Sequence, residues 1–111
     1  MTYTSFCHAL IQLMESSPTI TLAPGSKLVI MSDLHAGDGS RKDDLSNNGP
    51  LILSMLERHY LAGGYTLVLN GDIEELQKYP LPSVRRAWAP LYSVLDRFSD
   101  SGRLYKIVGN H

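Results

Sequence analysis

Three short polar clusters hold the residues of this sequence best suited to chemistry. They are Asp33-Leu34-His35, then Asn70-Gly71-Asp72 with Glu74 and Glu75 close behind, then Gly109-Asn110-His111. Their side chains are carboxylates, imidazoles and an amide oxygen, with no thiolate among them. That donor set suits a hard-to-borderline divalent metal ion. Asp33 and His35 stand two residues apart, so both can turn toward one ion. Gly71 lets the backbone approach closely and leaves Asp72 free to point over the end of its element. One carboxylate can offer an oxygen to each of two ions, which suits Asp72 as a bridge. Asn110 adds a neutral oxygen, useful where further negative charge would hold metal too tightly for turnover.

What must position these clusters is legible in the hydrophobic pattern. Lys27-Leu28-Val29-Ile30-Met31-Ser32, Tyr65-Thr66-Leu67-Val68-Leu69-Asn70 and Arg103-Leu104-Tyr105-Lys106-Ile107-Val108 are short runs, mostly apolar, of the kind that strands in a parallel sheet show. Each ends where a polar cluster begins. Before the first strand, Phe6, Leu10, Leu13 and Met14 recur at helical spacing over residues 5–16, and residues 19–22 suggest a further short strand. Gly49-Pro50 opens a helix that Gly63-Gly64 stops, with Leu51, Ile52, Met55, Leu56 and Tyr60 on its apolar side. Residues 73–79 read as a short polar helix, and Ser83 as the N-cap of the next one. Val84, Trp88, Leu91, Leu95 and Phe98 then form the clearest helical stripe in the chain, with Pro90 set to kink or split it. A helix followed by strand–helix–strand–helix–strand predicts an α/β fold with parallel strands and right-handed crossovers. Ligands of open α/β sheets bind beyond the carboxyl ends of the strands, where all three clusters fall.

The clusters resemble the opening motifs of the calcineurin-like metallophosphoesterase family: D-x-H, G-D-x-x-[D/E] and G-N-H-[D/E]. Asp33-Leu34-His35 fits the first, Gly71-Asp72-Ile73-Glu74-Glu75 the second, and Gly109-Asn110-His111 the third without its last position. The motifs lie about forty residues apart, one βαβ unit each, as in the family. The resemblance implies that Asp33 and His35 hold a first metal, that Asp72 bridges both metals, and that Asn110 binds the second. It places His111 beside the leaving-group oxygen as proton donor or electrostatic stabiliser, and gives Asp72 a catalytic part through the bridge. Two divalent ions are implied, Mn²⁺ foremost, with Fe, Zn²⁺ or Ni²⁺ as alternatives. The implied reaction is hydrolysis of a phosphomonoester or phosphodiester substrate, with the ions activating water and clamping the phosphoryl oxygens. The family also carries a lone histidine and a G-H-x-H element downstream. The chain stops at His111, so residues 1–111 are expected to form one truncated domain, the N-terminal βαβαβ part of the family's α/β sandwich preceded by a helix.

Remaining features point to no other chemistry. The loop Gly37-Asp38-Gly39-Ser40-Arg41-Lys42-Asp43-Asp44 departs from the EF-hand pattern, since Lys42 takes the place of a ligand, and it reads as a solvated loop at the mouth of the site. Glu75 is expected to orient a metal ligand from behind, Glu74 to face solvent. His8 and His59 fall in helices, and Cys7 reads as a small buried residue. With one cysteine and net charge −1, no intrachain disulfide forms and no basic field favours nucleic acid. No run approaches the length of a membrane span, and a cytoplasmic protein is expected. The rival to an enzyme is a catalytically inactive α/β module that self-associates, as a homo-oligomer, through sheet surface left uncovered.

Overall fold

The structure, a computed structural model, describes residues 2–17 and 19–107. Strands β1 (Leu28–Met31), β2 (Thr66–Asn70) and β3 (Leu104–Ile107) form one parallel sheet in the order β1-β2-β3. Leu28 pairs with Thr66 and Met31 with Leu69 on one side of β2; Leu67 pairs with Leu104 and Asn70 with Ile107 on the other. Three parallel strands need two crossovers, and helices supply both. The first is α2 (Gly49–Met55), continued by a π-helical segment (Leu56–Leu61); the second is α3 (Leu81–Ala87) followed by α4 (Ala89–Asp100). The α/β architecture expected from the sequence is the one observed. The third strand's expected last residue, Val108, and the Gly109-Asn110-His111 cluster lie outside the described residues.

Alternation along the strands gives the sheet two faces. Val29, Met31, Leu67, Leu69 and Leu104 belong to a single core with Leu56, Leu61, Val84, Trp88, Leu91, Val94, Leu95 and Phe98. Every residue of the predicted helical stripe from Val84 to Phe98 is buried in it. Each such side chain contributes about 1.5–3 kcal/mol by leaving water, so this stripe is the principal bond between the crossover and the sheet. The stripe is carried by two helices, not one. The break falls at Trp88, and Pro90 sits in the first turn of α4, where its missing N–H costs nothing. Helix α4 ends in a Schellman arrangement: Gly102 has φ +69°, its N–H donates to Ser99 O, and the Arg103 N–H donates to Phe98 O.

Several local expectations are corrected. Helix α3 starts at Leu81 after Pro80, so Ser83 lies inside it and caps nothing. Residues 73–79 form a turn, with Glu74 bridged to Ala36, because their backbone groups pair with the loop after β1. No strand forms at 19–22. In the first crossover Ile52, Leu56 and Tyr60 of the expected side pack on the core and Leu61 joins them, while Leu51 and Met55 are exposed.

The opposite face of the sheet is open. Leu28, Ile30, Tyr105 and Ile107 are exposed there, and Val68, itself buried, shares a cavity lining with Thr19, Ile20, Tyr105 and Ile107. Helix α1 (Tyr3–Ser16) buries no residue, leaving Phe6, Leu10, Ile11, Leu13 and Met14 exposed. Cys7 is therefore half-buried, not a core residue. No helix among the described residues is long and apolar enough to cross a membrane.

Candidate metal centre

Beyond the last paired residues of β1 and β2 the two chains stay side by side. The Asp33 N–H donates to Gly71 O, His35 N–H to Asp72 O, Ala36 N–H to Ile73 O, and Glu75 N–H back to Ala36 O. This extended pairing fixes the D-x-H and G-D segments against each other before any side chain is considered. It also forces unusual backbone. Among the described residues three non-glycine residues have positive φ: Asp33 at 57°, His35 at 50° and Asp72 at 54°. Asp and His tolerate the left-handed region better than most residues, yet it remains costly, about 1–3 kcal/mol each. Strain of this kind persists where surrounding bonds over-determine it, and it clusters at functional sites.

The consequence is convergence. One ligand-type atom from each of Asp33, His35 and Asp72 lies within 4.8 Å of the other two. His35 Nε2 is 3.6 Å from Asp33 Oδ1, and Nδ1 is 2.9 Å from Glu75 Oε2. With Nδ1 hydrogen-bonded to the buried Glu75 carboxylate, the ring turns Nε2 toward Asp33. Outer carboxylates that fix a histidine in this way are a regular part of metal sites. Two carboxylates and an imidazole at this spacing fit a divalent ion, and the expected role of Glu75 behind His35 is the one its contact supports. Of the residues singled out from the sequence, Asp33, His35, Asp72 and Glu75 are brought together; Asn110 and His111 lie outside the described residues.

Glu74 overturns its expected place in solvent. It is only 8% exposed. Lys106 Nζ donates to both its oxygens, at 3.0 and 2.7 Å, and the Tyr92 hydroxyl donates to Oε2 at 2.6 Å. Burial by itself raises this carboxyl. The bonds from Lys106 and Tyr92, with the charges of Lys106 and Arg85, outweigh it and hold the group below the ordinary value of 4.5. The Tyr92 phenol is pushed well above its ordinary value, first by burial and then by the carboxylate it faces. A depressed carboxyl stabilises the fold fully above its ordinary value, and that stabilisation is lost as pH falls through its own lower value. Wild-type protein is therefore expected to lose more stability between neutral pH and about pH 3 than Glu74→Gln. Denaturant midpoints across that range check this, and parallel curves for the two proteins would refute it.

The loop after His35 is also more than a solvated mouth. Asp43 is 2% exposed and accepts three hydrogen bonds: Gly39 N–H at 2.7 Å, Leu45 N–H at 2.9 Å and Trp88 Nε1–H at 2.7 Å. It ties residues 37–45 to the α3–α4 junction. Arg41 and Lys42 remain exposed on it. His59 lies on the crossover with its ring against Tyr60 and Tyr65, away from the site. Neither Asp43 nor Glu74 is recognisable as an anchor from its sequence neighbours. The available signal for Asp43 was Trp88, a buried indole that needs an acceptor. Comparison with protein-family models, with curated proteins and with solved structures found no match.

Proposed function

We propose that the chain carries the metal-binding end of a phosphoesterase that hydrolyses a phosphomonoester or phosphodiester. The observation behind this reading is the convergence of Asp33, His35 and Asp72 on left-handed backbone, with His35 held by Glu75. Asp33, His35 and Asp72 would hold one divalent ion, Asp72 would reach a second that Asn110 also binds, and His111 would protonate or stabilise the leaving oxygen. Bound there, divalent ions supply Lewis-acid polarisation of phosphoryl oxygens and activation of water. The chain's own part is to hold the His35 ring through Nδ1 on Glu75, so that Nε2 is turned toward Asp33. It also holds Asp33 and Asp72 close together, at a repulsive cost that a cation relieves. Mn²⁺ is the ion proposed first, with Fe, Zn²⁺ or Ni²⁺ as its alternatives.

Purified protein is expected to bind Mn²⁺ and to hydrolyse p-nitrophenyl phosphate or bis-p-nitrophenyl phosphate only in its presence. Absence of both binding and turnover would sink the reading.

A second reading, a non-catalytic module that self-associates, is favoured by the open sheet face and by the unburied apolar side of α1. Light scattering tests it directly: a concentration-independent monomer rejects self-association, and a dimer without Mn²⁺-dependent turnover favours it over the enzyme.

A further inference from the structure

Glu74 sits between two residues of the candidate centre: two positions after Asp72 and one before Glu75, the partner of His35. Its backbone forms the bridge to Ala36, next to His35. In this extended stretch successive side chains point to opposite sides, so while Glu75 turns to His35, Glu74 turns to β3 and α4. There it meets Lys106, in β3, and Tyr92, in α4. One carboxylate thus joins the segment after β2 to the last strand and to the second crossover. The same segment is joined to the segment after β1 by backbone bonds.

We propose that the Lys106–Glu74–Tyr92 cluster positions the metal-binding end of the sheet, with Glu74 and Lys106 as positioning residues for Asp72 and, through Glu75, for His35. The inference rests on the proposed metal site and adds residues that the D-x-H and G-D-x-x-E motifs do not assign. Its physical basis is over-determination. The left-handed turn at Asp72 is unfavourable alone, and the segment following it is gripped from both sides. Backbone pairing holds it toward β1, and an ion pair from Lys106 to both oxygens of the buried Glu74 carboxylate, with a phenolic hydrogen bond, holds it toward β3 and α4. Releasing the second grip lets residues 72–75 relax and widens the three-ligand cluster.

The test is Mn²⁺ titration calorimetry of the 111-residue chain and its variants, each first checked for a folded circular-dichroism spectrum. Glu74→Gln and Lys106→Met are both expected to weaken Mn²⁺ binding, by about 10-fold, the lower end of what loss of an outer partner costs a metal site. Lys106→Arg should restore most of it. The two losses separate positioning from simple charge. Through space, removing a negative group weakens cation binding, whereas removing a positive one tightens it. Tighter or unchanged binding by Lys106→Met would therefore overturn the proposal, as would lower thermal stability at unchanged affinity. If Lys106→Met does not fold, Tyr92→Phe takes its place: it keeps the ring and all charges, and must still weaken binding several-fold. Wild-type protein that binds no Mn²⁺ would remove the metal reading and this inference together. Wild-type binding that the variants share would remove only the inference.

Discussion

Replacing Asp72 with asparagine is expected to reduce Mn²⁺-dependent phosphoester hydrolysis at least ~100-fold, since loss of an outer partner alone costs a metal site about 10–100-fold. Stability should barely change. Asp72 has φ +54°, and asparagine is among the few residues that adopt this conformation readily. The substitution keeps the side chain's shape and one oxygen and removes the charge. It also relieves repulsion with Asp33 in metal-free protein, so the unfolding free energy should stay within about 0.5 kcal/mol of wild type, or rise. Asp72→Ala is a poorer probe because it adds backbone strain at the same site. Initial rates with p-nitrophenyl phosphate and a urea titration suffice. Activity retained by Asp72→Asn would remove Asp72 from the metal centre. Activity lost together with several kcal/mol of stability would show a structural role in place of a chemical one.

Asp43→Ala should act in the opposite way, on the fold first. The carboxylate accepts from two backbone N–H groups and from the indole of Trp88 in a site nearly closed to water. Its removal orphans three donors, and an unmet buried donor costs about 1–3 kcal/mol. Some water will enter the space, so about 3–5 kcal/mol is expected overall. The loop cannot easily settle elsewhere. A Cβ on Gly49 would lie 2.2 Å from the Trp88 ring and one on Gly37 2.7 Å from that of Tyr79, so both rings are packed against bare backbone. Asp43→Asn should cost less, since one acceptor oxygen survives. A urea midpoint that falls with an unchanged slope would bear this out. A loss below about 1 kcal/mol would mean that the loop contributes little to stability.

Asp43 and Glu74 show where one-dimensional reading stops. Asp43 lies among Gly, Ser, Lys and Asp, a composition typical of solvated loops. Only the fold brings it to an indole 45 residues away. Glu74 and Glu75 are neighbours of identical chemistry. Alternation says that they point to opposite sides, but which one faces His35 depends on the register with which the segment after β2 pairs with that after β1. The other side, expected to be water, is occupied by Lys106 and Tyr92. The shift to a π-helical turn at Leu56 and the largely exposed setting of α1 are decisions of the same kind, made by what each segment finds to pack against.

By itself the sequence determined the order of elements, the three parallel strands, the buried stripe from Val84 to Phe98 and the placing of Asp33, His35 and Asp72 at strand ends. These rest on short-range periodicity and on where polar residues interrupt it, which any stretch of chain carries within itself. Tertiary structure alone decided that Asp43 and Glu74 are anchors, that the ligand Glu75 holds is His35, and that the three candidate ligands share left-handed backbone. Those depend on strand register and on partners 18 to 45 residues distant. Burial makes a hydrogen-bond partner obligatory without naming it; the fold supplies the partner.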